Sequence, residues 1–194
     1  MTVSAESALD ILTPYIETFQ NGILAGFHEY TEQYGHLRHK HSAHARAIII
    51  HDHILHYLKF AFSGVDGVRC FKHNGLDLIS IHSNLFIRVK KMNNNMHTSN
   101  IPTRQSVNFS GQLSFEGFSH IITNINLGYI PNDIWTQPKR ILITCPNGDT
   151  LITWYLDITK HTPNTILLDL PNASQETITK KRIKAKIPKN QTGS

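Results

Sequence analysis

The sequence contains little cysteine and little charge. Only two cysteines, Cys70 and Cys145, occur among 194 residues, and charged residues make up 17% of the chain. Both cysteines fall in apolar, β-rich segments, which favours reduced, buried thiols over a disulfide framework and predicts a cytoplasmic protein. No apolar run approaches the roughly 20 residues that span a membrane, and the first residues lack the pattern of a secretory signal.

The signatures of several enzyme classes are also missing. The chain has no P-loop, no G-x-G-x-x-G dinucleotide fingerprint, no G-x-S-x-G nucleophile elbow and no H-E-x-x-H zinc motif. Cys145 is followed by proline and has no base near it in sequence, which argues against a thiol nucleophile. Function must therefore be sought in less specific patterns.

The net charge of +5 is concentrated near the end of the chain. Residues 172–194 carry six basic side chains and one acidic side chain, whereas residues 1–171 carry 13 of each sign. We therefore predict a basic, flexible tail at 172–194, attached to a single domain of near-zero net charge at 1–171. Such a tail is either an electrostatic contact for nucleic acid or a solvated terminus.

Periodicity divides the domain into a helical part, 5–62, and a β-rich part, 67–158. Apolar residues recur every three to four positions over 5–34 and again from Arg46 to Phe62, with a polar loop from Gly35 to Ala45 between them. Short β-rich runs follow at Val68–Lys72, Leu76–His82, Leu85–Met92, Ile121–Ile130, Ile141–Cys145 and Thr150–Ile158.

Turn signals join these runs into antiparallel pairs. Asn74-Gly75 separates the first two, and the Asn147-Gly148 pair separates the last two. A short helix around Thr103–Phe109 lies in the polar segment 93–112. The predicted fold is α+β, with N-terminal helices packed on a mostly antiparallel sheet of five or six strands.

Seven of the thirteen histidines lie between His36 and His56. Because imidazole binds metals and moves protons near neutral pH, this stretch is the strongest lead to function. Three interpretations remain open: a metal site, a nucleic-acid cleavage site, or exposed and structurally satisfied histidines. No Cys/His ligand pair supports the metal interpretation, so we predict no cofactor, with a divalent metal at Asp77 or at the histidine cluster as the alternative.

The helical half of this stretch contains an arginine and histidine motif. Arg46 and His51 form R-x4-H, and Arg46 and His53 form R-x6-H. This spacing resembles the R-x4–6-H motif of HEPN ribonucleases. The resemblance covers this helix alone, because HEPN domains are all-helical and the following 100 residues here are β-rich. It implies metal-independent RNA cleavage, in which imidazole moves a proton and arginine stabilises the phosphorane. Arg46, His51 and His53 are the predicted catalytic residues.

The order of elements, helix, three strands, helix and strand, resembles the core of PD-(D/E)xK nucleases. That family carries an Asp on the second strand and Glu-x-Lys on the third. Here Asp77 and Lys90 match two of these positions, but Arg88 stands where Glu is expected. The resemblance therefore implies either a degenerate nucleic-acid binder or an accidental match, since metal-dependent cleavage needs the missing carboxylate.

Basic residues on the third strand, together with the amide-rich segment, suggest a nucleic-acid-binding surface. Arg88 and Lys90 share one face of the strand LFIRVKKM, and Arg104 and Gln105 lie in the segment around Thr103–Phe109. These four residues are the predicted contacts to a phosphate backbone. A solvated sheet face is the alternative interpretation.

Five strings, spread over residues 40–158, resemble one group of bacterial proteins: ARAIIIHDHILHYL, LFIRVKKMN, NIPTRQSVNFSGQ, NLGYIPNDIW and ITCPNGDTLITW. The group consists of toxin-like proteins paired with Xre-type or ImmA/IrrE-type antitoxins in toxin–antitoxin or phage-defence systems. The resemblance implies an effector that is restrained by a partner protein. The rival hypothesis is a non-enzymatic interaction module that binds a partner through exposed aromatic residues of the segment Tyr129–Trp135 and through the amide-rich segment 100–112. The amide-rich segment could equally cap a sheet edge.

Overall fold

The computed structural model describes residues 2–98, 103–113, 122–148 and 150–160. Three helices come first, separated by short 3-10 turns at Thr13–Tyr15 and Gly35–Leu37: α1 (Ala5–Leu12), α2 (Ile16–Tyr34) and α3 (Ala43–Ala61). The remaining elements are β1 (Val68–His73), β2 (Leu76–Ile81), β3 (Leu85–Lys91), α4 (Arg104–Ser110), β4 (Thr123–Pro131), β5 (Pro138–Asn147) and β6 (Leu151–Asp157). The predicted α+β fold is confirmed; the basic segment 172–194 lies outside the described residues.

The start of α3 differs from the prediction. The helix begins at Ala43, three residues before Arg46, because the Ser42 hydroxyl accepts a hydrogen bond from the Ala45 amide at 3.1 Å. A serine in this position satisfies an amide that the first helical turn leaves without a partner. His44 therefore lies on the first turn of α3 and not in the preceding loop.

Two glycines let α2 and α3 pack closely. A Cβ atom added at Gly26 would lie 2.4 Å from Ile54 Cγ1, and one added at Gly22 would lie 2.5 Å from Leu58 Cδ2. Gly22 meets Leu58, and Gly26, one turn later on α2, meets Ile54, one turn earlier on α3. The two helices are therefore antiparallel. The glycines do not break α2, which continues to Tyr34.

The sheet follows the chain in the order β1-β2-β3-β4-β5-β6, and all neighbours are antiparallel except β3 and β4. This parallel pair runs from Leu85 opposite Thr123 to Lys91 opposite Tyr129. It requires a crossover, which the chain makes through α4. The predicted turn at Asn74-Gly75 is present, with positive φ at both residues (48° and 82°), as a tight hairpin demands.

The main core lies between the three N-terminal helices and one face of the sheet. Alternate residues of β3, namely Leu85, Ile87 and Val89, belong to it together with Ile54 and Leu58 of α3. On the other face, a smaller cluster joins Phe86 of β3 to Phe109 of α4. The sheet is thus covered by α1–α3 on one side and, in part, by α4 on the other. None of the helices in the described ranges combines the length and apolar character that a bilayer crossing demands.

Candidate functional site

A fork between β2 and β3 opens a site at one end of the sheet. The pairing of β2 with β3 ends at Ile79 and Ile87. Past that point β2 stays paired with β1 as far as Leu76, while β3 stays paired with β4 as far as Lys91. The two strands therefore diverge, and the N-terminal half of α3 lies beside the gap.

A cavity of about 420 Å³ occupies this fork. Helix α3 supplies one wall, and the start of β2 and the end of β3 supply the others. The lining residues are Ala43, His44, Ala47, Ile48, His51, Gly75, Leu76, Asp77, Arg88, Lys90, Lys91 and Tyr129. A volume in this range is typical of small-ligand sites.

The cavity is electropositive. Arg88, Lys90 and Lys91 line it, and the one carboxylate beside them, that of Asp77, is 2.8 Å from the Lys59 ammonium. Among the described residues, the side chains of Lys90 and Arg88 form no hydrogen bond or ion pair, and the Arg88 guanidinium carbon lies 6.0 Å from the centre of the Phe109 ring. Two partly buried cations without a counter-ion form a natural site for an anion.

Burial alters the proton affinity of these cations. Removal from water, with a smaller contribution from the charge of Arg88, lowers the pKa of Lys90 to about 8. Removal from water also lowers the pKa of Arg88. Both effects have the same cause, because a cation that loses its hydration shell is destabilised relative to the neutral form. A bound anion would remove this penalty.

His51 is the histidine of the predicted motif that reaches the cavity. Burial lowers its pKa, and the nearby Asp52 opposes this shift only in part, with 3.5 Å between His51 Nδ1 and Asp52 Oδ1. An imidazole with a pKa below the usual 6.5 is neutral at pH 7 and can accept a proton. His51 therefore has the protonation state that a general base requires.

Arg46, the other half of the motif, has a different environment. Its Nε donates a hydrogen bond to the His41 carbonyl at 3.1 Å, and its guanidinium carbon lies 5.5 Å from the centre of the Trp135 ring. Lys91 Nζ lies 5.4 Å from the same ring. Arg46 is not among the residues that line the cavity, and its cation–π contact ties α3 to the loop between β4 and β5.

The remaining predicted residues also lie outside the cavity lining. The ring of His53 is 6.3 Å from that of Tyr34 on α2, so it faces the helical layer. Arg104 and Gln105 begin α4, where Arg104 is exposed and Gln105 is half-buried. Of the seven predicted residues, the structure brings together His51, Arg88 and Lys90.

The alternative metal sites find little support in the geometry. No group of three or more His, Cys, Asp or Glu side chains comes together to hold an ion anywhere in the described ranges. His41 of the histidine-rich stretch instead pairs with the hydroxyl of Tyr30 at 3.1 Å. Asp77 is the lone carboxylate among the cavity-lining residues, and its oxygen already contacts the Lys59 ammonium.

One expectation about the partner surface is wrong. Tyr129 and Trp135 are not exposed aromatic residues: Tyr129 is fully buried and Trp135 is 7% exposed. Tyr129 is oriented by a hydrogen bond from its hydroxyl to the Ala47 carbonyl at 3.3 Å. The side-chain amide of Gln112, in the amide-rich segment, bonds the backbone of Asn124 and Pro146 and so anchors the end of α4 to the sheet.

Sequence reasoning missed the cavity role of Lys91, Tyr129 and the alanines of α3. Ala43, Ala47 and His51 are spaced by four residues, so they share one side of the helix, a signal visible in the sequence. No sequence pattern predicted that β2 and β3 diverge. This divergence opens the cavity that Ala43, Ala47 and His51 line.

No family model, curated protein or solved structure matches this chain. Any functional hypothesis therefore depends on the residues that line the cavity in the fork.

Proposed function

We propose that this chain is a toxin-like bacterial effector that acts on RNA in the cytoplasm, without a metal, at the cavity between α3, β2 and β3. The observation that carries the proposal is the meeting of His51 with two cations, Arg88 and Lys90, that have no counter-ion among the residues the structure describes. A phosphodiester is the anion that would give each of these three groups a chemical role.

The proposed reaction is an internal transfer at one phosphate of RNA. Neutral His51 accepts the proton of the 2′-hydroxyl, and the 2′-oxygen forms a bond to phosphorus. The bond from phosphorus to the 5′-oxygen breaks, and the Lys90 ammonium donates a proton to that oxygen. Arg88 pairs with the non-bridging oxygens as their negative charge grows. The products are a 2′,3′-cyclic phosphate and a 5′-hydroxyl end.

The proton affinities of the two groups support these roles. The pKa of His51 is lowered by burial, so the base is free at neutral pH, and the pKa of Lys90, about 8, keeps the acid protonated there. We expect a bell-shaped dependence of kcat/KM, which reports the free protein, on pH, with the acidic limb below 6.5 and the alkaline limb near 8. In the Lys90→Arg variant the alkaline limb should disappear, because the arginine pKa exceeds 12.

The test is cleavage of an end-labelled RNA by the purified protein, with and without EDTA. We expect EDTA-resistant cleavage with cyclic phosphate ends, no cleavage of the matching DNA, and a loss of about 10²–10⁴-fold in rate for His51→Gln. His28→Gln, at an exposed position of α2, is the matched control. Cleavage that survives His51→Gln, or that requires added Mg²⁺, would overturn the proposed chemistry.

A second candidate is a nucleic-acid binder that does not cleave. It is favoured by the meeting of Asp77, Arg88 and Lys90 at one cavity, since these are the positions at which the chain resembles PD-(D/E)xK nucleases and departs from them. RNA binding that is lost in Lys90→Gln, in a protein without cleavage activity, is the outcome that selects this candidate.

We further propose that an antitoxin-like partner protein restrains the effector. The support is the resemblance of the five strings over residues 40–158 to paired toxin-like proteins. Induced expression in bacterial cells tests it: the wild type should arrest growth, His51→Gln should not, and the product of the neighbouring gene should restore growth and co-purify with the chain. Growth arrest by both forms would contradict the assignment of His51.

A further inference from the structure

The two sides of the cavity differ in character, which suggests a ligand that is itself two-sided. The strand side carries the cations Arg88, Lys90 and Lys91. The helix side carries Ala43, Ala47 and Ile48, with Leu76 contributed by the start of β2. An inorganic anion would contact the cations of the strand side but would make no contact with the apolar residues of the helix side.

The helix side offers room as well as apolar surface. Ala43 and Ala47 are small residues one turn apart, followed one turn later by His51. Ile48 lies beside them and is 48% exposed, so it offers apolar surface to an occupant of the cavity. Tyr129 closes the floor and is held in place by its bond to the Ala47 carbonyl.

From this arrangement we propose that the site takes single-stranded nucleic acid, with one unpaired base against the Ala43, Ala47 and Ile48 wall and the adjoining phosphate against Arg88 and Lys90. This inference rests on the proposed function and adds the substrate class. A base within a duplex is stacked on both faces and reaches an enclosed pocket only after it leaves the stack. A duplex could offer this cavity its phosphates but not a base.

Binding measurements separate the contribution of the base from that of the phosphate. The probes are three fluorescein-labelled DNA eight-mers, which lack the 2′-hydroxyl and remain intact: oligothymidine, a strand of abasic residues with the same number of phosphates, and a duplex. Anisotropy titrations at one salt concentration should give about tenfold tighter binding for oligothymidine than for either other probe, because only its unpaired bases can bury apolar surface against the Ala43, Ala47 and Ile48 wall. Equal affinity for oligothymidine and the abasic strand, or for the duplex, would refute the inference.

Two kinds of variant assign the walls. Ala47→Leu fills the apolar side and should reduce oligothymidine binding to the level of the abasic strand, without change for the abasic strand itself. Ala45→Leu, on the same helix but outside the cavity lining, is the matched control. Lys90→Gln should weaken all three probes by a similar factor. Should Ala47→Leu fail to fold, Ala43→Leu at an exposed position makes the same test.

The proposed function and the base-binding wall can be tested separately. Absence of binding to all three probes would overturn the base-binding wall, and absence of RNA cleavage and of RNA binding as well would overturn the proposed function. If oligothymidine and the abasic strand bind equally well and both lose binding in Lys90→Gln, the phosphate site is supported and only the proposed base-binding wall is refuted.

Discussion

Replacement of Lys90 by methionine should make the protein more stable at neutral pH while it removes nucleic-acid binding. Lys90 is a partly buried ammonium with no ion-pair partner among the described residues, and methionine preserves most of its length without the charge. The pKa of Lys90 falls from 10.5 to about 8. Since one pKa unit corresponds to about 1.4 kcal/mol, the charged form costs at most about 3.5 kcal/mol of folding free energy. Partial contact with solvent reduces this, and we expect a gain of about 1–2 kcal/mol.

The pH dependence follows from the direction of the shift. Between pH 8 and pH 10.5 the unfolded chain keeps the Lys90 proton and the folded chain has lost it, so the wild type gains stability as pH rises through this window. The variant has no such group. Its advantage should therefore be complete below pH 8 and should shrink toward zero near pH 10.5.

Urea unfolding of both proteins at pH 7 and pH 10 measures this difference. Lys139→Met, at an exposed position of β5, is the control and should leave the free energy of unfolding unchanged at either pH. A Lys90→Met protein that is less stable than wild type at pH 7, or an advantage that does not depend on pH, would refute the claim that a desolvated cation lines the cavity.

Four other substitutions test the surroundings of the site. Arg46→Ala breaks the cation–π contact with Trp135 and should lower the free energy of unfolding by about 1 kcal/mol, whereas Trp135→Ala also removes a buried ring and should cost about 3–5 kcal/mol. Both should reduce RNA cleavage to a similar extent; activity lost in Arg46→Ala alone would instead support a catalytic Arg46. Gly26→Ala should destabilise the fold by about 1–2 kcal/mol in thermal unfolding, because the new Cβ meets the backbone of α3 at Ile50 O (3.0 Å) as well as a side chain; a neutral result would mean that α2 and α3 separate freely. Gln112→Ala removes hydrogen bonds of 2.7, 2.8 and 2.9 Å to the sheet backbone and should cost about 2–3 kcal/mol in urea unfolding; a cost below about 0.5 kcal/mol would show that water replaces them.

Local sequence signals predicted most of the fold. Helical periodicity located the long helix that ends at Ala61, and the Asn74-Gly75 turn located the first hairpin, because both depend on residues close together in the chain. The start of α3 was misplaced by three residues, since the cap at Ser42 is a single side-chain hydrogen bond inside a polar segment. The parallel pairing of β3 with β4 was not foreseen.

The candidate site was less accessible to sequence reasoning. The R-x4-H spacing predicted that Arg46 and His51 act together. Five residues apart on a helix, however, the two side chains point in different directions, so Arg46 contacts Trp135 while His51 lines the cavity. Conversely, His51 and Lys90 are 39 positions apart in the sequence. They line the same cavity because β3, beyond Ile87, no longer pairs with β2 but remains paired with β4. The end of a pairing register depends on the whole sheet, and no local motif encodes it.

The packing of the first helix, α1, against the last described strand, β6, has a consequence for biosynthesis. Helix α1, among the first residues made, packs against β6, among the last described: the Trp154 indole donates a hydrogen bond to the Val3 carbonyl at 2.9 Å. Contacts between such distant positions form late, because a long loop must close before they contribute stability. On a ribosome that adds about 5–20 residues per second, the helical layer waits some seconds for the last strand. A nascent chain of this protein therefore stays incomplete, with the sheet-facing side of α1 uncovered, until β6 has left the exit tunnel.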